Sequence, residues 1–284
     1  MILLFYINLP TTEDPDLRYK DYIEDILLGL KMSGANLIPC FEYFRSHHNK
    51  VFMEILREKI NFGEHLNFLH FGTLEESIRY KNQFLYPVVV KPGAGSKSKN
   101  IYLAYNENEL IKIVSKISSS FTFTNIIRSI RSIFYSKKYK AISNHRRKLI
   151  IQEFIPDLSG DYKILIYGDK YYVVRRENRF GDFRASGSGL LSFPENISDK
   201  LLDYAQNIFE KSDTPFMGMD IADQRGKLYL IEFQFIVMGN YALEKSNFYF
   251  KKINTKWQLV REISLLEDVF VESVDKFINN KNKN

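Results

Sequence analysis

The stretch Pro87-Val88-Val89-Val90-Lys91-Pro92-Gly93-Ala94-Gly95-Ser96-Lys97-Ser98-Lys99 runs from an apolar segment into a lysine and on into a loop of small residues and cations. β-Branched residues pack well on a pleated surface, so the valines predict a strand. Gly93 and Gly95 let the backbone turn tightly and come close to a ligand. Backbone N–H groups, the Ser96 and Ser98 hydroxyls and the charges of Lys91, Lys97 and Lys99 would then surround an anion. The segment is a candidate phosphate-holding loop. It lacks the Gly-Lys-Ser/Thr ending of a P-loop, so it is not expected to open a helix and cradle phosphate in that manner. Alone, it reads equally as a solvated hairpin turn. The residues downstream decide between the two.

The chain has 284 residues, 45% hydrophobic and 26% charged, which is the balance of a water-soluble globular protein. Cys40 is its single cysteine, which excludes a disulfide framework and fits a reducing compartment. Residues 1–9 are apolar but carry no basic leader and run into Pro10 and an acidic stretch, so they read as a buried strand. No run approaches the roughly 18 apolar residues that span a bilayer. The expected location is the cytoplasm. The net charge of +6 is unevenly spread, because residues 110–152 contain no Asp or Glu. Within that span lie Arg128, Arg131, Lys137, Lys138, Lys140, Arg146, Arg147 and Lys148, with Ile126, Ile127, Ile130, Ile133 and Phe134 at helical spacing. This predicts a basic amphipathic helix followed by a basic loop. It reads either as a solvated surface helix or as a contact for an anionic substrate or membrane surface. Nucleic acid is not expected, since no reader motif and no row of stacking aromatics accompanies the charge.

Strands are predicted over 2–7 and 36–39 around a helix over 17–32 with Tyr22, Ile26, Leu27 and Leu30 on one side and Gly34 at its end. Helices follow over 50–59 and 74–82, and a strand over 66–71. Residues 101–104 should pair back on Val88–Val90. A helix over 107–117 and a strand over 149–154 precede a hairpin of 162–167 and 170–175 around Gly168-Asp169. A helix over 199–211, a hairpin of 216–221 and 228–235, and a long helix over 259–278 complete the chain, with a frayed tail from 279 to 284.

The last hairpin carries the most specific chemistry. Asp220 lies near the end of its first strand, and Glu232 and Gln234 lie on the second. Strand alternation puts Glu232 and Gln234 on one face and Ile231, Phe233 and Phe235 on the other. The turn brings Asp220 level with Glu232. Two carboxylates and an amide oxygen then converge, a donor set that suits Mg²⁺ held jointly with phosphate oxygens. The alternative is a pair of surface acids on an edge hairpin. It is disfavoured because both acids sit in strongly apolar strands, where an unpaired acid is costly.

The order is now distinctive. A lysine strand and Gly/Ser loop are followed by Gln152-Glu153-Phe154-Ile155-Pro156, then Gly160-Asp161-Tyr162-Lys163, Arg175-Arg176, Asp182-Phe183-Arg184-Ala185-Ser186, Asp220 and Ile231-Glu232-Phe233-Gln234. This pattern, over about 49–234, resembles the ATP-grasp superfamily, and within it the branch of the ribosomal-protein glutamate ligase. The resemblance implies an α+β ATP-grasp fold, with two α+β subdomains gripping ATP. Its parts would be a reduced βαβ unit over 1–45, a small lid subdomain over 46–155 with the basic insertion at 119–148, and a core subdomain over 156–284.

The resemblance also implies roles. Lys50 and Lys91 would bind ATP phosphates, with Gly95, Ser96 and Ser98 in the loop that closes over them. The segment Gln152, Glu153, Phe154 and Ile155 matches the hinge whose backbone reads adenine. Asp161 falls near the ribose. Lys163 stands where an arginine is common, and Arg175 or Arg176, together with Arg184, matches the cations facing the γ-phosphate and acyl phosphate. Asp220 and Glu232 match the metal ligands, Glu232 bridging two Mg²⁺. The chain departs from the pattern at Gln234, where an Asn is usual, which moves the amide oxygen relative to the second metal. It departs again at Ser186, which replaces an Asn of the substrate site.

The implied reaction is ATP-dependent ligation of a carboxylate to an amine through an acyl phosphate, releasing ADP and phosphate. Two other readings use the same residues: a kinase phosphorylating a hydroxyl, and a nucleotide-binding module without catalysis. No dedicated general base stands out. His47 and His48 lie beside Lys50 but read equally as surface histidines, and Cys40 reads as packing. The basic insertion suits an acidic acceptor, such as a uronic-acid sugar of a surface polysaccharide, an acidic peptide or a lipid-linked substrate. Removing the charges of Arg128, Arg131, Lys137 and Lys138 together should raise the acceptor KM with kcat retained. An unchanged KM in steady-state assays removes the acceptor role from that segment.

Overall fold

The predicted strand–helix–strand opening forms over its described residues. β1 (Ile2–Leu4) pairs in parallel with β2 (Asn36–Ile38), and α1 (Arg18–Met32) connects them. The computed structural model describes residues 2–4, 18–62, 66–95, 100–120, 127 and 143–283. Ser96, Ser98 and most of the predicted basic helix lie outside that set. Gly34 ends α1 as predicted. Its φ of +82° lets its N–H reach the Lys31 carbonyl while the Ala35 N–H reaches that of Leu30, a pairing that caps the helix C-terminus. The inward stripe of α1 is buried Lys20 and Leu27 with half-buried Ile23 and Leu30, and the Lys20 ammonium lies over the Phe44 ring. Tyr22 and Ile26, expected on that face, lie further round the helix and are exposed. Two helices follow, α2 (Phe41–Ser46) and α3 (Lys50–Ile60).

The middle of the chain builds a four-stranded antiparallel sheet. β3 (Phe68–Phe71) leads to α4 (Leu74–Tyr80), whose start is closed by reciprocal bonds between Thr73 and Glu76. β4 (Val88–Pro92) and β5 (Tyr102–Ala104) form the predicted hairpin, with Val88 opposite Ala104. After α5 (Glu107–Ser118), β6 (Leu149–Glu153) inserts between β3 and β4, giving the order β3-β6-β4-β5. Val88, Val90, Leu149 and Ile151 face one way and pack with Leu110, Val114 and Ile117 of α5. Alternation therefore turns Val89, Lys91, Ile150 and Gln152 to the opposite face.

The C-terminal half builds the large sheet. β7 (Gly160–Tyr167) and β8 (Lys170–Glu177) turn at Gly168-Asp169, where Gly168 has a φ of +59°. A short β9 (Leu191–Ser192) joins β8, and α6 (Asp199–Ser212) follows. β10 (Phe216–Gln224) and β11 (Lys227–Gln234) turn at Arg225-Gly226, both with positive φ, which matches strand twist across a two-residue loop. After α7 (Tyr241–Glu244) come β12 (Phe248–Ile253), β13 (Lys256–Arg261) and α8 (Leu266–Lys281). Among the described residues the order is β11-β10-β7-β8-β12-β13, with β9 on β8.

Both faces of this sheet are covered. Ile164, Ile166, Val173, Met217 and Met219 pack with Leu201, Leu202 and Ala205 of α6 and with residues of α1, α2 and α3. Leu165, Tyr167, Tyr172, Val174 and Phe216 pack with Val269 and Val274 of α8.

One expectation is corrected. The helix predicted over 259–278 starts only at Leu266 and runs to Lys281, because 256–261 pairs with β12 and 279–281 continue the helix. The chain divides into Met1–His47, Phe52–His65 and Ile155–Asn284 on the one hand and His48–Val51 and Leu66–Phe154 on the other. Leu27, Phe41 and Phe44 share a core with Ile164 and Met219.

Gly160 begins β7 against β8, where a Cβ would stand 2.0 Å from the Arg176 carbonyl oxygen. Gly160→Ala should destabilise the fold by about 1–3 kcal/mol, as overpacking does. Urea denaturation of the variant against the parent chain measures it.

Candidate functional site

Four charged residues continue the Leu165–Val174–Phe216 face of the large sheet where its apolar residues end. On β7, Asp161 and Lys163 share the face of Leu165 and Tyr167. The register sets Asp161 opposite Arg176 of β8, Lys163 opposite Asp220 of β10, and Asp220 opposite Glu232 of β11. The predicted level placement of Asp220 and Glu232 is therefore present.

Arg176 spans two acids. Its Nε and Nη2 lie 2.6 and 2.7 Å from the Asp161 carboxylate oxygens, and its Nη2 lies 2.8 Å from Asp220 Oδ2. Lys163 Nζ stands 3.6 Å from Asp220 Oδ1, beyond hydrogen-bond length, and that oxygen is buried without a hydrogen bond. Asp161, Lys163, Arg176 and Asp220 are all buried. Burial opposes the Arg176 charge, but the Asp220 and Asp161 carboxylates together hold its pKa above the ordinary guanidinium value. Burial pushes the Asp161 carboxyl upward, and the two-point contact with Arg176 opposes that shift.

Arg175 is turned to the other face, with its guanidinium 4.7 Å from the Tyr162 ring centroid and Nη2 donating to Ser159 Oγ at 2.7 Å. Of the two candidate arginines, Arg176 is the one beside Asp220. Arg184 lies on the loop between β8 and β9, where its Nε and Nη2 meet Asp182 at 2.8 and 2.9 Å. That contact draws the Asp182 carboxyl below its usual range. Gln234 is opposite Gly218. Sequence reasoning missed Tyr241. Burial raises its hydroxyl pKa, and the Arg176 guanidinium beside it acts in the opposite direction. It follows an irregular segment whose path no periodicity announces.

The other sequence-predicted residues belong to the four-stranded sheet and the first turn of α3. Lys91 on β4 donates to Gln152 Oε1 on β6, on the face away from α5. Lys50 opens α3, is buried, and donates its backbone N–H to the Gly93 carbonyl at 2.9 Å. Gly93 donates in turn to the Lys148 carbonyl at 2.8 Å, and a Cβ there would meet Lys148 Cγ at 2.3 Å. Gly95 has a φ of +134°, which L side chains rarely adopt. Glu153 donates its backbone N–H to the Asn67 carbonyl at 2.8 Å, and its carboxylate accepts from Asn67 Nδ2 at 2.9 Å. Phe154 and Ile155 are the residues at which the chain passes from one unit to the other.

The donor set suits Mg²⁺. Among the described residues no three His, Cys, Asp or Glu side chains cluster as a metal cage. Mg²⁺ needs none, since it takes one or two carboxylates and completes its shell with water and phosphate oxygens. Asp220 and Glu232, level across β10 and β11, are the carboxylates that could hold it, and Asp220 Oδ1 is buried without a hydrogen bond.

The chain belongs to the RimK-like ATP-grasp domain family, whose model matches residues 50–263. ATP-grasp enzymes bind ATP. Among curated proteins it is similar to the α-aminoadipate–LysW ligase LysX of Saccharolobus solfataricus, at 25% identity over 185 residues, 65% of this chain and 59% of that one. The chain thus spans less than two thirds of that relative. Among solved structures it is similar to D-cycloserine synthetase DcsG, with a TM-score of 0.55, 12% identity, and 84% and 77% of the two chains covered. It is also similar to the ATP complex of a Bacillus anthracis D-alanine–D-alanine ligase, with a TM-score of 0.53, 11% identity, and 90% and 76% covered. At such identity these structures show the fold. No helix among the described residues is long and apolar enough to cross a membrane.

Removing one partner of a buried ion pair strands the other. Asp161→Ala should destabilise the chain by about 3 kcal/mol, because Arg176 loses its two-point carboxylate contact. The thermal unfolding midpoint of the variant reads this directly.

Proposed function

We propose that the protein is an ATP-dependent ligase joining a carboxylate to an amine through an acyl phosphate. The observation that carries this reading is the Asp220–Glu232 pair, level across β10 and β11, with an unbonded carboxylate oxygen beside Lys163 and Arg176. Membership of the RimK-like ATP-grasp family supports the same reaction class.

A carboxylate resists amines because its leaving group would be oxide. In the first step a carboxylate oxygen attacks the γ-phosphorus of ATP, and the bond to ADP breaks. In the second, the amine attacks the acyl carbon, phosphate departs, and the nitrogen loses a proton. Charge gathers on the transferring group, so catalysis is mostly positioning and electrostatics. Lys50 and Lys91 are assigned to the ATP phosphates, with Gly95, Ser96 and Ser98 covering them and excluding water from the acyl phosphate.

The Gln152–Ile155 segment is assigned to adenine. The Glu153 N–H is bonded to the Asn67 carbonyl, so the adenine donor is assigned to the Ile155 backbone. Asp220, Glu232 and Gln234 would hold Mg²⁺, which supplies charge neutralisation at the phosphates. Arg176 and Arg184 are assigned to the phosphoryl oxygens and Lys163 to the same anion. Asp161, which the sequence pattern puts near the ribose, is assigned here to orienting Arg176, a role its two-point contact with that side chain supports. The basic segment 125–148 supports an acidic acceptor, and the single cysteine supports a cytoplasmic setting.

Lys91→Met should reduce ATP turnover about 100-fold or more while leaving the unfolding midpoint near that of the parent. ADP release against paired carboxylate and amine libraries, with mass spectrometry of the product, tests the reaction itself. An amide product supports the ligase. A phosphorylated alcohol formed without an amine overturns it in favour of a kinase.

A further inference from the structure

β11 is an edge strand, and its ladder to β10 skips a residue next to the proposed metal ligands. Asp220 faces Glu232, but Ile221 faces Leu230, so Ile231 is the extra residue of a bulge. Successive carbonyls of a regular strand point to opposite sides. Here the Leu230 and Ile231 carbonyls, neighbours in sequence, converge on one guanidinium. Arg57 of α3 donates from Nη1 to Leu230 O at 2.7 Å and from Nη2 to Ile231 O at 3.0 Å. Its Nε donates to Glu54 Oε2 at 2.6 Å, one helical turn back on α3. The guanidinium carbon lies 5.3 Å from the Phe233 ring centroid. The Leu230 N–H is taken by the Tyr204 hydroxyl at 3.1 Å. Arg57 thus engages the residues on both sides of Glu232. Glu54 and Arg57 are each only 1% exposed.

We propose that the Glu54–Arg57 pair is a positioning device that holds the bulge at Ile231 and thereby aims the Glu232 carboxylate. The inference rests on the metal role assigned to Glu232 above. Burying an Arg–Glu pair is a poor route to stability alone, since well-packed apolar residues do as well or better. What the pair supplies is a fork of directed donors. A bulge re-aims side chains, and a strand that slips by one residue turns every side chain to the other face. Holding the Leu230 and Ile231 carbonyls together opposes that slip where Glu232 begins the regular ladder with Asp220. Arg57 acts through the backbone and is a positioning residue.

The test uses the full chain with Mn²⁺ as the probe. Free Mn²⁺ is followed by electron paramagnetic resonance at saturating ADP, and metal-free ADP affinity is measured by calorimetry in chelator. Arg57→Lys keeps the charge beside Glu54 but loses the fork, and the double variant Glu54→Leu/Arg57→Met removes both charges together. Outer partners of metal ligands typically contribute 10–100-fold in affinity, so each variant should weaken Mn²⁺ binding about tenfold with metal-free ADP affinity unchanged. Should either variant fail to fold, the other decides. Parent-like Mn²⁺ binding in the folded variants, while Glu232→Gln weakens it, overturns the positioning role and leaves the metal site standing. An equal loss of metal-free ADP affinity also overturns it, as general damage. Unchanged Mn²⁺ binding in Glu232→Gln overturns the metal reading on which the inference rests.

Discussion

Neutralisation of Asp220 inside the protein is the constraint around which the large sheet is arranged. Its carboxylate is buried between strands that are otherwise apolar, and such a charge persists only when paired. Arg176 reaches it from β8 across the intervening β7, and Lys163 faces it from β7 itself. Asp161 supplies the second carboxylate that Arg176 needs. Two acids and two bases thus close a neutral group on three adjacent strands. The cations balancing Asp220 are also those assigned to phosphate. An anionic ligand arriving with a divalent cation would exchange one set of counter-charges for another, so the charged row is consistent with both states.

This arrangement imposes a register on four strands at once, and turn chemistry meets it. Gly168-Asp169 and Arg225-Gly226 are two-residue loops whose positive φ values follow strand twist. Counting outward from the first sets Arg176 opposite Asp161, and pairing of β7 with β10 sets Lys163 opposite Asp220. The same sheet face then changes character along its length. Leu165, Tyr167, Tyr172, Val174 and Phe216 bury one end under α8, and the charged row occupies the other. The apolar end makes the polar end rigid, which is the condition for a charge cluster to act as a preorganised site.

Much of this was legible in the residues. Period-two alternation and a recognisable turn place Asp220 level with Glu232 without a structure. The same counting decides between Arg175 and Arg176, because only Arg176 has the parity of Asp161. Other features left weaker traces. The β12–β13 hairpin turns at Asn254-Thr255, with positive φ at both residues but no glycine. Leu259, Ile263 and Leu266 beyond it imitate a helical spacing, so the sequence pattern predicts a closing helix that begins earlier than Leu266. The bulge at Ile231 leaves only a switch of parity in the sequence, since Leu228 and Leu230 before it and Phe233 and Phe235 after it enter the same core. Tyr241 reaches Arg176 through tertiary folding of an irregular loop, which local patterning does not encode.

The two buried arginines illustrate why guanidinium, and not ammonium, was needed at both positions. Arg176 must contact two carboxylates on different strands with fixed separation, and Arg57 must contact a carboxylate and two carbonyls. An ammonium offers compact charge on a flexible stem, whereas the planar fork fixes the directions of its donors and always carries charge. Lys163 occupies the one place in the cluster where a single contact suffices, and at 3.6 Å it leaves Asp220 Oδ1 without a hydrogen bond. Where the ATP-grasp pattern has an arginine, the lysine here leaves one carboxylate oxygen without a hydrogen bond, which fits the metal role proposed for Asp220. The fork geometry ties strands together, and the point charge leaves that oxygen without a directed donor.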